Sequence, residues 1–251
     1  LLNRRIEYEK MAATEEKLWW YRVLHRKMLS AIRQHTKSQD ISILDIGCGT
    51  GGFLAGLRER GYARLRGVDI SDDAIEFTAA RQLPVTKGAA DSVAELFPTE
   101  QFDVLVCADV LCYYEQHELP ALLNSWRSLL RPGGIVVLNM PSLGAFRGMH
   151  DLSVGIRQRI DWPRFRGGLE QAGWGCNKAE HWPFVLSPLI ALERRRQRGL
   201  LKNEPQAEIR SDVEMPNALV NQVLFGITCF EAVIPGLKWG SSLFAVVHPR
   251  P

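Results

Sequence analysis

Ile43-Leu-Asp-Ile-Gly-Cys-Gly-Thr-Gly-Gly-Phe53 is an apolar run that ends in an acid, passes through glycines at 47, 49, 51 and 52, and then resumes helical spacing. That order predicts a buried strand, a tight turn and the start of a helix. Glycine admits positive φ and lets a ligand approach the main chain with no Cβ in the way, while the following helix offers unpaired N–H groups. The turn is therefore a place for a nucleotide. Two patterns fit it: Gly47-x-Gly49-x-x-Gly52 satisfies the dinucleotide fingerprint, and Asp45-x-Gly47-x-Gly49-x-Gly51 satisfies a second, acid-led one.

Outward from the turn, Phe53, Leu54 and Leu57 continue a helix that Gly61 stops. A second strand, Leu65 to Ile70, ends in Gly-Val-Asp-Ile and puts Asp69 at a strand's carboxyl end, where a carboxylate accepts hydrogen bonds from ribose hydroxyls. Ser71 with Asp72 and Asp73 then opens a helix as N-cap and first-turn acids. A third strand, Val85 to Gly88, leads to Asp91 and Ser92, and a fourth, Phe102 to Ala108, is a continuous buried run of the parallel-sheet kind. Pro120 sits in the first turn of the next helix, which is predicted to reach Leu130. Ile135 to Met140 is the fifth strand, and Asn177 to Phe184 and Leu243 to His248 are the last two. Strands and helices alternating in this way predict an α/β fold with an open parallel sheet wound on both faces.

The flanks are helical. Residues 5 to 35 read as one long helix or two short ones, with Trp20, Leu24, Met28 and Ile32 on one face. Trp19, Trp20 and Tyr21 cannot all face one side of a helix, so at least one ring is free to cover a ligand. Residues 185 to 238 hold two apolar helical stretches joined by a polar bridge, Lys202 to Glu214, and read as a roof over the substrate cavity or a homodimer surface, with lipid contact as a further reading. The expected domains are an N-terminal helical cap (1–36), a core (37–184), the insertion (185–238) and a final core strand (239–251).

At 251 residues and 46% hydrophobic, the chain buries a full core. Its formal charge of +3 is scattered except at Arg194, Arg195, Arg196 and Arg198, which read as a solvated helix face, with an anionic substrate or membrane surface as the alternative. Five cysteines without a C-x-x-C pair suggest neither a disulfide framework nor a zinc site, and they fit a reducing cytoplasm. No apolar run reaches the ~18 residues of a membrane span, and the start, Leu-Leu-Asn-Arg-Arg, is not a signal peptide. No basic stripe with interleaved aromatics points to nucleic acid.

Leu44-Asp-Ile-Gly-Cys-Gly-Thr-Gly51, Gly67-Val-Asp69-Ile-Ser71, Phe102-Asp-Val-Leu-Val and Leu130-Arg-Pro-Gly-Gly134 resemble, in order and over about 100 residues, the successive motifs of class I S-adenosylmethionine-dependent methyltransferases. Glu15-Glu-Lys-Leu-Trp19-Trp-Tyr, His150-Asp151, Ser211-Asp212 and Pro235-Gly-Leu-Lys-Trp-Gly-Ser-Ser-Leu-Phe resemble a bacterial subgroup acting on natural products or glycan-pathway intermediates. The resemblance implies a Rossmann-like seven-stranded mixed sheet with the last strand antiparallel, an N-terminal helical segment and a helical insertion before that strand. It implies S-adenosylmethionine as cofactor, methyl transfer to a small molecule as activity, and no metal. Asp45, Gly47, Cys48, Gly49 and Gly51 then hold the methionyl end, Asp69 and Ile70 the ribose side, Asp91 and Ser92 the adenine, and Ala108 lies near the sulfonium. Acids at strand ends suit a ligand with a cationic ammonium and sulfonium, whereas Asp45 would repel a pyrophosphate. A silent cofactor-binding partner, a cyclase on the same fold and a nicotinamide dehydrogenase are the rival readings.

Acceptors of open α/β folds sit outside the carboxyl ends of the strands, which selects the loops after the fourth and fifth strands and the N-terminal helix. His150 is the expected general base with Asp151 as its orienting partner, and Trp20, Tyr21, Tyr113 and Tyr114 are the expected acceptor walls. His117, at a helix start between Glu115 and Glu118, is expected in solvent. The resembled subgroup continues from His-Asp to a second His and an Arg-Arg-Tyr segment, but here Gly155-Ile-Arg157-Gln-Arg159-Ile stands instead.

Overall fold

Seven strands form one sheet in the order β3-β2-β1-β4-β5-β7-β6. They are β1 (Ser42–Ile46), β2 (Arg64–Asp69), β3 (Val85–Lys87), β4 (Phe102–Ala108), β5 (Leu130–Pro141), β6 (Trp174–Trp182) and β7 (Ser242–Pro249). The computed structural model describes residues 5–203, 211–231, 234 and 238–250. The amino-terminal Leu-Leu-Asn-Arg, most of the polar bridge (204–210) and the Pro235-Gly-Leu stretch lie outside the described residues. Strands β1 to β5 pair in parallel, and β7 runs antiparallel between β5 and β6, as the sequence predicts.

Alternate residues of the central strands feed opposite faces, the period-2 geometry of a strand buried on both sides. Leu105 and Cys107 join a cluster with Leu119, Leu122, Phe165 and Leu169 from α6 (Leu119–Ser125) and α8 (Trp162–Gln171). Val104 and Val106 join another with Val23, Leu24, Met28, Leu54 and Leu57 from α2 (Trp19–His35) and α3 (Gly52–Glu59). The remaining helices are α1 (Arg5–Thr14), α4 (Asp72–Ala80), α5 (Val93–Leu96), α7 (Met149–Ser153), α9 (Ser187–Asn203) and α10 (Ala218–Glu231).

Residues 5 to 35 form two helices, the second of the two readings the sequence left open, because the chain breaks after Thr14 and sends the Glu15 side chain into the glycine turn. Two boundaries differ from the sequence reading. The fifth strand starts at Leu130, since Leu130 pairs with Phe102 and a register shift absorbs the Pro-Gly-Gly stretch; α6 accordingly gives way at Trp126 to a short 3-10 turn. The sixth strand begins at Trp174, just after Gly173 turns the chain at φ +77°, and ends at Trp182, because Pro183 lacks the N–H to continue the ladder.

Candidate functional site

The carboxyl ends of β1, β2 and β4 converge on the glycine turn. Gly47, Gly49 and Gly51 all take positive φ (78°, 56° and 84°), a conformation that costs other residues energy. Gly47 and Cys48 donate their N–H groups to Val68 O at 2.7 and 3.0 Å, which pins the turn to β2. A Cβ on Gly47 would stand 2.1 Å from Val110 Cγ2, so the segment after β4 lies directly against the turn.

Four acids surround this turn. Asp69 accepts from Gly49 N at 2.9 Å and from Ser71 N at 3.0 Å; burial raises its pKa against these bonds. Asp45 is 4% exposed, and burial, with Asp69 and Glu15 nearby, pushes its carboxyl up to about 7. Glu15 reaches in from the α1–α2 junction: one oxygen accepts from Thr50 Oγ1 at 2.7 Å, the other from Gly52 N at 3.0 Å, and Arg81 pairs with it at 2.7 Å. Glu15 is the N-terminal anchor of α3 that the local sequence does not supply, because Gly51 stands at the cap position with no side chain.

Asp109 is the fourth acid and the residue the sequence reading passed over. It follows β4 with φ +56°, a strained value for a non-glycine residue. Asn139 Nδ2 donates to both of its oxygens at 3.1 and 3.2 Å, and Trp182 Nε1 donates to Asn139 Oδ1 at 2.9 Å. Burial pushes Asp109 up to about 7, against the Asn139 bonds and the more distant charge of Arg159. Its positive φ and its Asn139 partner, 30 residues away, are tertiary features that a single sequence does not reveal.

Two of the aromatic candidates lie within the fields of these acids. Burial and the fields of Glu15 and Asp109 raise the Tyr21 phenol; burial and the fields of Cys112 and Asp109 raise Tyr113, whose OH donates to Val154 O at 3.1 Å. Tyr8 of α1 joins them, buried beside Asp69 and hydrogen-bonded to Ser71. Trp20 turns the other way: its ring stacks on Trp182 at 5.6 Å and packs against the core. Tyr114 packs on the cluster of the opposite face and reaches the backbone of Asp91 and Ala90, a loop that Trp126 Nε1 also holds by donating to Ala90 O at 2.7 Å. In that region Asp91 is exposed, Ser92 partly so, and Ile70 presents an apolar side chain, 44% exposed, next to Asp69. Cys48 and Ala108 line the turn and the end of β4, both partly exposed.

The expected His150–Asp151 pair is arranged differently. Asp151 is 1% exposed and spends both oxygens on Arg159, at 2.7 and 3.0 Å, and on Gly148 N at 3.0 Å. His150 Nδ1 accepts from Asp212 N at 3.2 Å, and burial lowers its pKa. A neutral ring accepting at Nδ1 carries its proton on Nε2, the form that donates rather than abstracts. Arg159, the arginine that remains of the subgroup's segment, also donates to Ser142 O and Ser241 O at 3.1 and 3.0 Å, so it is a clamp between loops. Arg194 departs from the solvated face expected for its cluster: it is 7% exposed and paired with Asp212. His117 is exposed, as expected.

Four acids gather around a glycine turn whose Gly47, Cys48, Gly49, Gly51 and Gly52 N–H groups are bonded within the protein, a setting suited to a cationic ligand rather than a pyrophosphate. Residues 43–134 match a family model described as a methyltransferase domain. Phosphoethanolamine N-methyltransferase of Triticum aestivum is 28% identical over 121 residues, which are 47% of this chain and 24% of that one. Ubiquinone biosynthesis O-methyltransferase of Paraburkholderia xenovorans is 30% identical over 131 residues, 47% of this chain and 55% of its own. The chain thus spans about a quarter of the length of the first curated relatives it matches. Among solved structures, the plantazolicin methyltransferase BpumL in complex with SAH superposes with a TM-score of 0.61 at 14% identity, over 98% of this chain and 90% of that one. Residues 43–134 are thus similar to a methyltransferase domain, and the chain carries the fold of the class I S-adenosylmethionine-dependent methyltransferases.

Proposed function

We propose that the protein transfers a methyl group from S-adenosylmethionine to a small-molecule acceptor. The observation that carries this reading is the acid-lined glycine turn, in which Asp45 and Asp69 stand at the ends of β1 and β2 and Arg81 beside the turn is paired with Glu15. Asp45 with Gly47, Cys48, Gly49 and Gly51 would hold the methionyl end, Asp69 and Ile70 the ribose side, and Asp91 and Ser92 the adenine. The bound cofactor supplies a methyl carbon already activated by a positive sulfur. The protein then has to align the acceptor and keep water out.

Asp109 is our candidate general base. It lies beyond Ala108 at the carboxyl end of β4, held by Asn139 and flanked by Tyr21 and Tyr113. A hydroxyl or ammonium acceptor loses its proton to the Asp109 carboxylate while its lone pair lines up with the methyl carbon. His150 we read as a brace for the segment at Asp212, not as the base. The helical cap, from Arg5 to Thr36, covers the glycine turn of the core, and the reaction belongs in a reducing cytoplasm, in keeping with free thiols at all five cysteines.

Titration calorimetry with S-adenosylhomocysteine and, separately, NAD tests the cofactor: binding of the first alone is expected, and binding of NAD alone sinks the reading. Methyl-labelled cofactor offered with amines, phenols and hydroxy acids then tests transfer, with a labelled product as the expected result.

A further inference from the structure

We propose that the outward face of α9 and α10 is a docking surface for an anionic lipid bilayer, on which the protein lies without crossing it. Both helices leave large apolar side chains in the open. The side of α10 turned to the body carries Asn221, Thr228 and Glu231, all buried, beside the half-buried Phe225 and Cys229, whereas Leu219, Val223 and Phe230 stand 76%, 51% and 71% exposed. At about 100° per residue, Leu219, Val220, Val223, Ile227 and Phe230 share one outward arc with no polar side chain in it. In α9 the buried side chains include Arg194 and Gln197, while Leu189 and Leu192 are each 66% exposed.

Specific bonds fix this orientation. Asn221 accepts from Trp19 N and donates to Lys17 O, both at 2.8 Å, which locks the start of α10 onto the junction before α2. The Glu231 carboxylate accepts from Phe184 N and Val185 N, again at 2.8 Å, and so joins the end of α10 to the start of α9, where Phe184 and Val185 are exposed. Arg194 is held inward by Asp212. Of the 13 large hydrophobic residues exposed among the described residues, 10 lie between positions 184 and 234. So heavy a concentration marks an interaction surface.

Charge selects the occupant. The outer part of α9 carries Arg195, Arg196 and Lys202, all exposed, against Glu193, which pairs with Arg196; Arg198 beside them donates to Ala145 O and Arg147 O. An apolar face next to a basic one is the pattern of helices that lie in the interface of an anionic membrane. A second copy would bring the same positive helix to the contact. Among the described residues no helix is long and apolar enough to cross a membrane, so the contact is peripheral. The Asn221 bonds end two residues from both Glu15 and Tyr21, so the docked face adjoins the wall of the cofactor cleft.

Co-sedimentation of the full chain with vesicles tests this. Vesicles of phosphatidylcholine with about one-third phosphatidylglycerol are expected to bind it at least tenfold better than phosphatidylcholine alone, and salt should weaken the binding. Val223→Ser with Phe230→Ser, and separately Leu189→Ser with Leu192→Ser, should each lower binding about tenfold while the thermal melt and S-adenosylhomocysteine affinity stay unchanged, since all four side chains face solvent. Arg195→Glu with Lys202→Glu should remove the preference for phosphatidylglycerol. Absence of binding, or equal binding to both vesicle types, overturns the proposal. So does a dimer in sedimentation velocity that Phe230→Ser dissociates while wild-type protein leaves vesicles unbound. The vesicle result is independent of the methyl-transfer reading, which fails or stands on the cofactor titration alone.

Discussion

Asp109 joins a left-handed backbone to a carboxyl pushed up to about 7 by burial, so its charged, proton-accepting form grows as pH rises through neutrality. A bound sulfonium favours the charged form and moves that titration lower. kcat/KM for the cofactor is therefore expected to rise to a plateau above about 7, and kcat to show its acidic limb at lower pH. Asp109→Asn should remove the limb in kcat and reduce kcat by ~10²–10⁴-fold, with affinity for S-adenosylhomocysteine, which lacks the sulfonium charge, little changed. His150→Ala, by comparison, should leave the pH profile in place. Asp45, also near 7 through burial and its acidic neighbours, gives a different signature: S-adenosylhomocysteine affinity measured by calorimetry should increase from pH 6 to pH 8, and Asp45→Asn should abolish that increase.

At the scale of elements, α1 and the junction after it form a strap over the ends of β1 and β2, fastened at two points of unequal strength. Arg5 pairs with Asp73 and Glu76 of α4, but these are exposed side chains, and such pairs contribute about 0–1 kcal/mol. Glu15 is 3% exposed and satisfies Thr50, Gly52 N and Arg81 together; hydrogen bonds to a charged group contribute about 1.5–3 kcal/mol each. Glu15→Ala is therefore expected to destabilise the protein by a few kcal/mol and to speed hydrogen exchange at the Gly49 to Gly52 amides. Arg5→Ala should change the melting temperature little. The strap also explains which aromatic covers the cleft. With Trp20 stacked on Trp182, the helical turn leaves Tyr21 toward the acids.

Over the whole molecule, Arg159 and Asp151 tie the loops after β5 to the segment before β7, with side chains 6% and 0% exposed. Arg159→Leu strands a buried carboxylate and is expected to cost about 3–5 kcal/mol in denaturant unfolding. Stability should also depend on pH with a definite sign. Asp45 and Asp109 keep their protons to about 7 in the folded chain, whereas unfolded carboxyls lose theirs near 4. The folded state binds more protons across that window, so these two groups subtract stability progressively from about pH 4 to 7 and no further above it. Asp109→Asn should flatten that fall in a plot of Tm against pH. The glycine turn, the acids at the ends of β1 and β2 and the alternation of strands and helices were all legible in the chain, because each depends on residues close in sequence and on periodic burial. The partners of Glu15, Asp109 and Asp151 were not, since Gly52 lies 37 residues from Glu15 and Asn139 lies 30 from Asp109. Nor was the direction of α9 and α10: an apolar period marks a helix face, but only packing decides whether that face turns inward. The sequence by itself determined the sheet and its nucleoside cradle. The tertiary structure alone decided which acid after β4 is held by Asn139, and which helices keep their apolar side in the open.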